Sequence, residues 1–332
     1  MMTAWRVPPI MWRLVAFVGL LVVIGAVFRS QAPAYLTSGN LHALLRHMAI
    51  QGVVSVGLTF VIVVRHFDLS FPGVASLGAM TLGFLISKDA GLPVCILGGT
   101  AIGLGCGLIS GLAVGVLRLP DVVATIAMGS IAYGLSFIYN DGASFSDNFF
   151  SSGILDLNDR AYFAVDAPVF ILGLIALGAA VVLHMTRFGQ AFYATGENQT
   201  SARFSGIPVP GYVAAAFAIC GALTCLAMVL HVASSGVANV SSGNQILMPA
   251  YAAVYLGAAL FGAASIPATL AGALLMSALL NGFTLLTVPY YYSDAVVSAV
   301  LIMAIAVFDP RLLAPLRPLV AWFSRKAFQR PI

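Results

Sequence analysis

The residues best equipped for chemistry gather in a short polar stretch within an otherwise apolar chain. The stretch TGENQTSARFSGIPV, residues 195–209, holds a carboxylate (Glu197), a guanidinium (Arg203), two side-chain amides and several hydroxyls. Residues 204–293 then contain no Asp, Glu, Lys or Arg. Glu197 and Arg203 are six residues apart, which is not the i,i+4 spacing of a pair on one helix face. The stretch is therefore either a binding element for a partner chain or an ordinary solvated connector.

A second charged cluster interrupts an apolar region in the sequence VVRHFDLSFPG, residues 63–73. Arg65 and Asp68 are three residues apart and would pair if that turn is helical. Asp68 would equally cap a helix that begins nearby, with Ser70 and Pro72 in its first turn. The spacing alone leaves both arrangements open.

Several catalytic and cofactor chemistries are absent from the sequence. Lys88 and Lys326 are the only lysines, and neither follows glycine in a nucleotide-binding pattern. The five histidines form no helical pair with an acid suited to metal binding, and the four cysteines lack metal-ligand spacing. We therefore expect a chain that is not an enzyme and holds no metal or cofactor. Any ATP, with its Mg, is expected on a partner chain.

The composition places these polar residues in a membrane protein. Of the 332 residues, 61% are hydrophobic and 8% are charged, whereas soluble domains carry about 25% charged residues. So few charges cannot cover a water-exposed surface, which indicates an integral membrane protein surrounded by lipid. The net charge of +4 is too small and dispersed to indicate a nucleic-acid partner.

Windows without charged residues predict the spans, because a charge at mid-membrane costs at least a few kcal/mol. The fold class predicted is an all-α integral membrane protein with about ten transmembrane helices in one domain, residues 1–332. The windows are 14–28, 48–64, 69–87, 91–117, 122–140, 167–186, 210–232, 246–264, 266–286 and 295–308.

The cluster at residues 63–73 has a third interpretation in a membrane. A charged, irregular segment at membrane depth persists only inside protein or beside a water-filled cavity. It would then line or gate a translocation pathway. The residues assigned to that pathway are Arg65, His66, Phe67, Asp68 and Ser70.

The distribution of Lys and Arg predicts the orientation. Ten spans with an internal N-terminus put eleven of the fifteen Lys and Arg residues inside, and leave Arg29, Arg46, Lys88 and Arg160 outside. Both termini are then cytoplasmic, including a tail at residues 309–332. The acid-rich segment 140–166 faces outside, and residues 187–209 form an internal loop.

One span carries glycine at every fourth position. In GGTAIGLGCGLISGLAVGV these glycines lie along one stripe of a helix. Such a stripe lets another helix backbone approach closely, so we expect tight helix packing there. The residues are Gly99, Gly103, Gly107, Gly111 and Gly115.

Three segments together resemble the permease subunits of bacterial sugar-importing ABC transporters, the ribose, xylose and autoinducer type. The family motif Gly-Gly-Ile-Asp-Leu-Ser-Val-Gly is matched by RHFDLSFP at residues 65–72. Its cytoplasmic motif is similar to RFGQA at 187–191 followed by GENQTSARFSGI at 196–207. Its glycine-rich turn and following helix are similar to residues 260–286.

The resemblance implies a role for the polar stretch. In such permeases this loop forms a short cytoplasmic helix that docks in a groove of the ATPase subunit, and Ala202 is expected against that subunit. The residues assigned to ATPase coupling are Gly196, Glu197, Asn198, Ser201, Ala202, Arg203 and Gly206.

The resemblance also implies partners and a location. They are ATP-binding ABC subunits, a periplasmic solute-binding protein that meets segment 140–166, and a second permease chain in the bacterial inner membrane. The solute expected is small and polyhydroxylated. Arg65, His66 and Phe67 stand where the family has two glycines and an isoleucine, which favours a heteromeric permease pair over a homodimer. The alternatives are a branched-chain amino acid-type ABC permease, or a proton- or ion-coupled transporter that uses Asp68 and His66.

Overall fold

The computed structural model describes residues 9–308, except Ala164 and Gln245. The predicted tail, residues 309–332, lies outside the described residues. The long helices are α1 (Pro9–Gln31), α2 (Ser38–Val63), α3 (Phe71–Ser87), α4 (Leu92–Gly115), α5 (Asp121–Ser136), α8 (Ala167–Ala180), α11 (Val209–Ser235), α12 (Leu247–Phe261), α13 (Ile266–Leu285) and α14 (Tyr290–Phe308). The short elements are α6 (Phe149–Ser152), α7 (Asp156–Asp159), the antiparallel strands β1 (Ala161–Tyr162) and β2 (Val165–Asp166), α9 (Arg187–Glu197) and α10 (Gln199–Phe204).

The predicted all-α membrane class is confirmed, and the count of ten spans is approximate. Seven described helices are long and apolar enough to cross a membrane. Three more, α3, α12 and the part of α14 from Tyr291 to Met303, are apolar but shorter. Helices suit a bilayer because they satisfy all their backbone hydrogen bonds within one segment.

Burial separates central helices from peripheral ones. In their most apolar windows, 78% of α2 and 72% of α11 is buried, against 6% of α1. Helices α2 and α11 therefore form the centre of the bundle, and α1 lies at its edge.

The glycine stripe of α4 faces the central helix α11. A Cβ atom on Gly103 would overlap the carbonyl oxygen of Gly221, and one on Gly107 would overlap that of Phe217. All five stripe glycines are buried. At its start the stripe also meets α3, because a Cβ on Gly99 would lie 3.3 Å from a backbone oxygen of that helix. The close backbone approach supplies the dispersion contacts that hold these helices together in lipid.

One end of the bundle, here called the break end, holds the irregular segment 64–70 between α2 and α3 together with residues 187–209. The two meet where a Cβ on Gly196 would overlap the carbonyl oxygen of Val63, the last residue of α2. Only glycine permits so close a backbone contact.

The opposite end, here called the acidic end, holds residues 137–166. The backbone N–H of Phe145 donates to the carbonyl of Ala238 at 2.9 Å, just beyond the last turn of α11. Helix α11 begins at the break end and has 27 residues, so the two ends lie about 40 Å apart.

Candidate functional site

The start of α5 holds the backbone of the break. The side chain of Asp121 lies 3.1 Å from His66 Nδ1 and accepts the Phe67 N–H at 2.9 Å, both at Oδ2. One turn later Thr125 Oγ1 accepts the Leu69 N–H at 3.1 Å. Groups that an unbroken helix would have paired internally are thus satisfied by side chains from another helix.

Asp68 shapes the entry into α3. Its Oδ1 accepts the N–H of Ser70 at 2.8 Å and the Ser70 hydroxyl at 2.6 Å. Tyr251 bridges the Asp68 backbone: its hydroxyl accepts the N–H and donates to the carbonyl, both at 2.9 Å. The structure places no ion pair between Arg65 and Asp68 in the described chain. The Asp68 side chain therefore fixes the turn before α3, which is close to the capping arrangement.

One carboxylate oxygen of Asp68 accepts no hydrogen bond from the described residues. Its Oδ2 is buried and has no hydrogen-bond donor within normal geometry among the described residues, and the Asp68 carboxylate lies near the thiol of Cys220. Ser70 is buried beside it, whereas Arg65 and Phe67 are exposed. Among the described residues, no three or more His, Cys, Asp or Glu side chains are arranged to hold a metal ion.

Residues 187–209 fold as two short helices held at both ends. Thr186 caps α9 by accepting the Gly189 N–H at 3.4 Å, and Asn198 caps α10 by accepting the Ser201 N–H at 3.0 Å. The Tyr193 hydroxyl donates to the carbonyl of Ala264 at 3.0 Å, which ties α9 to the turn before α13. Burial raises the pKa of Tyr193, so this phenol stays protonated as a donor.

The structure brings the two predicted sites together. Gln199 Nε2 of α10 lies 3.4 Å from His66 Nε2 in the break. Gly196 of α9 also packs against Val63 at the end of α2. Helices α9 and α10 therefore lie directly beside the segment that separates α2 from α3. No spacing in the sequence links residues 66 and 199, so only the fold could supply this pairing.

The surface of α10 differs in one respect from the sequence interpretation. Ala202 is expected against a partner, yet its side chain is buried in the core of its own chain. Glu197, Asn198, Ser201 and Arg203 are exposed, and so is Gly206, whose φ of +82° explains the need for glycine. Sequence reasoning missed Phe204, among other residues of the site; it is 90% exposed at the end of α10.

A polar loop after α11 was also missed. Ala238 lies beside Gly83, and a Cβ on Gly243 would overlap the carbonyl oxygen of Pro72. Residues 236–244 thus run alongside α3 from Gly83 to Pro72, a rise of about 16 Å along the helix. Irregular backbone at such depth requires protein or water around it, and Ser241 and Asn244 are exposed. One feature of the sequence could have pointed to this loop: the apolar segment that follows it, α12, is unusually short for a membrane span.

At the acidic end, Asp166 joins the outer segment to α2. Its carboxylate lies 2.9 Å from His42 Nδ1 and 3.1 Å from Arg46 Nε. The hydrogen bonds from the Arg46 guanidinium hold the pKa of Asp166 below its ordinary value. Asp166 is the last residue of β2 and immediately precedes α8, so these contacts attach both the strand and the helix to α2.

A family model matches residues 40–305 of the chain and is described as the branched-chain amino acid transport system / permease component. Among curated relatives, the ribose import permease protein RbsC of Escherichia coli strain K12 is 30% identical over 88% of this chain and 92% of its own length. The autoinducer 2 import system permease protein LsrC is 27% identical in Yersinia enterocolitica, over 90% of this chain and 82% of that protein. The LsrC protein of Salmonella typhi is 28% identical to this chain, over 92% of this chain and 86% of that protein.

A solved metal-chelate-type ABC transporter in an inward-facing conformation has a TM-score of 0.47 and 15% identity, over 93% of this chain and 98% of that one. That likeness is too weak to carry a conclusion. The sequence and family matches confirm the predicted ABC-importer permease, and the names of the relatives do not favour either alternative. This chain is a multi-pass membrane protein that belongs to the permease family of bacterial ABC importers shared by the ribose and autoinducer-2 import permeases.

Proposed function

We propose that this chain is the membrane subunit of an ATP-driven importer for a small polyhydroxylated solute, a sugar or a sugar-like molecule. The names of the relatives, ribose and autoinducer 2 import permeases, support this solute class. The chain itself carries out no covalent chemistry. ATP and Mg bind to partner ABC subunits, and a periplasmic binding protein delivers the solute.

The observation that carries the proposal is the contact between α9–α10 and the break. The neighbours are Gly196 against Val63 and Gln199 beside His66. A short helix fixed at both ends moves as a rigid body when a partner pushes on it. Movement of α10 by the ATPase subunits would therefore shift the end of α2 and the start of α3.

The arginines support the orientation of the bundle. Arg13 donates to the carbonyl of Phe261 at the break end, where Arg65, Arg118 and Arg203 also lie. The acidic end holds fewer Lys and Arg residues among the described residues. By the positive-inside rule the break end is cytoplasmic, so both termini are cytoplasmic and residues 140–166 face the periplasm of a bacterium.

The pathway lies along the break and the polar loop 236–244. Phe67, Ser241 and Asn244 are exposed there on a single chain. Polar groups at membrane depth need water or protein beside them. A second permease chain, identical or different, would face this surface and enclose a channel for the solute between the two.

The exposed charge on α10 gives the sharpest test. We expect Arg203→Glu to lower uptake at least about tenfold in vesicles that contain the ATPase and the binding protein, because a charge reversed in an interface weakens docking. The permease should still insert at normal levels. Arg160→Glu, an exposed arginine of the acidic end, is the matched control and should leave ATPase co-purification unchanged.

Two measurements separate coupling from transport. Asp68→Asn should leave ATPase association intact and alter uptake, since Asp68 is buried in the break rather than on α10. Uptake should stop on ATP depletion and persist with a proton uncoupler. Uptake abolished by the uncoupler while ATP is maintained would instead show a proton-coupled transporter, and full coupled transport by Arg203→Glu would remove α10 from the mechanism.

A further inference from the structure

A basic cavity lies at the break end between α4, α10 and α11. Its volume is about 350 Å³, and His66, Val114, Arg118, Gln199, Arg203 and Val213 are among the residues that line it. It joins three regions of the chain that the sequence separates widely. The side chains on its wall supply hydrogen-bond donors with few acceptors.

The charge of the cavity is positive. Arg118 and Arg203 are in no ion pair within the part of the chain that the structure describes. The nearby carboxylate, Asp121, is occupied by His66, by the Phe67 N–H and by the Val122 N–H at 2.8 Å. Two guanidinium groups therefore line the cavity without an ion-pair partner among the described residues, which suits a group that accepts several hydrogen bonds, such as phosphate.

The rim of the cavity is apolar and exposed. Leu119 lines the cavity and is 48% exposed, and Leu117 beside it is 69% exposed. Leu104, Leu108 and Leu112 of α4 are also exposed and recur at helical spacing. A cationic recess near an exposed apolar face of a membrane-spanning helix matches a molecule that has an anionic head and hydrocarbon tails.

We propose that this cavity binds the phosphate group of an anionic phospholipid, with the acyl chains along the exposed leucines of α4. The lipid phosphate would link Arg118, just beyond α4, to Arg203 of α10. An occupied site would thereby hold α10 in place against the bundle. The inference does not depend on which solute the protein carries.

The experiment measures lipid retention by the purified permease alone. The protein is exchanged into a mixture of phosphatidylglycerol and phosphatidylcholine with identical acyl chains, and bound lipids are counted by native mass spectrometry. We expect phosphatidylglycerol to be retained preferentially. Arg118→Gln should lower that preference about fivefold, the effect of one basic residue at a membrane surface, and Arg118→Lys should keep most of it.

Arg187→Gln is the matched control, because Arg187 is exposed at the same end and does not line the cavity. It should leave the preference unchanged. Equal retention of the two lipids, or an equal loss in Arg118→Gln and Arg187→Gln, would overturn the proposal. Inorganic phosphate that stabilises lipid-free protein and displaces phosphatidylglycerol would make the ligand a free anion. A preference seen only when the ATPase subunit is added would assign the arginines to that partner.

Discussion

The acidic end and the break end satisfy their charges in different ways. At the acidic end, Asp166 pairs with His42 and Arg46, and Asp156 pairs with Arg160, all within this chain. At the break end, His66 pairs with Asp121 and backbone contacts made through glycine hold the segments, but Arg203, the charged residue of α10, has no ion-pair partner among the described residues. The acidic end is therefore a self-contained cap, whereas the break end is packed firmly but keeps charges available for other molecules.

This difference matches what each end is proposed to do. A cap that meets a binding protein needs a stable shape of its own, which ion pairs and a small hairpin supply. A segment that transmits movement needs firm contact with the helices that it moves and free groups for its driver. Charge pairing inside the chain would use up those groups.

The largest effect is expected at Gly196. Gly196→Val would push a side chain into the carbonyl oxygen of Val63, which is backbone and cannot move aside. We expect the free energy of unfolding to fall by about 3 kcal/mol, the upper range for overpacking, with loss of coupled uptake. Thermal unfolding in detergent and vesicle uptake are the measurements.

Gly211→Val is the control for this substitution, since nothing lies within 4 Å of a Cβ at that position. Its unfolding free energy should change by roughly 0.5 kcal/mol or less. If the two variants behave alike, the break end is not held by close backbone contact, and the contrast between the ends disappears.

A smaller effect is expected at the acidic end from Asp166→Asn. Loss of the charged hydrogen bonds to Arg46 and His42 should cost about 1–3 kcal/mol near neutral pH. Because the folded state holds the pKa of Asp166 below its ordinary value of 3.8, the stabilisation is present above that pH and is lost as pH falls through the folded pKa.

The measurement is thermal unfolding of both proteins from neutral pH to below pH 3.8. The difference in unfolding temperature between the native protein and Asp166→Asn should shrink as the pH falls. Asp147→Asn, a carboxylate of the same segment without an ion pair among the described residues, should show no gap at any pH. A gap that widens in acid would contradict the pairing.

The smallest effect is expected from Asp156→Asn. Its pair with Arg160 spans 3.0 Å, but both side chains are more than half exposed. Exposed i,i+4 pairs contribute about 0–1 kcal/mol, so the unfolding temperature should hardly change. A loss as large as that of Asp166→Asn would mean that exposed pairs also hold the cap together.

Much of the architecture was predictable, because apolar windows in lipid have few alternatives to helices. The windows 69–87 and 122–140 lie close to α3 and α5. The contacts that hold the candidate site together were not predictable, because they join helices that are far apart in the sequence. The break could be located from its charges, but Asp121, the residue that holds it, lies more than fifty positions away from His66.

By itself the sequence determined that the chain spans a membrane, that residues 187–209 form a polar insertion, and that a glycine stripe packs closely. Each follows from local composition and from spacing along one helix. Tertiary structure decided that Ala202 points inward, that α10 touches the break and that the loop 236–244 enters the bundle. These depend on which helices become neighbours, and the packing of distant segments is fixed by shape complementarity that no single segment encodes.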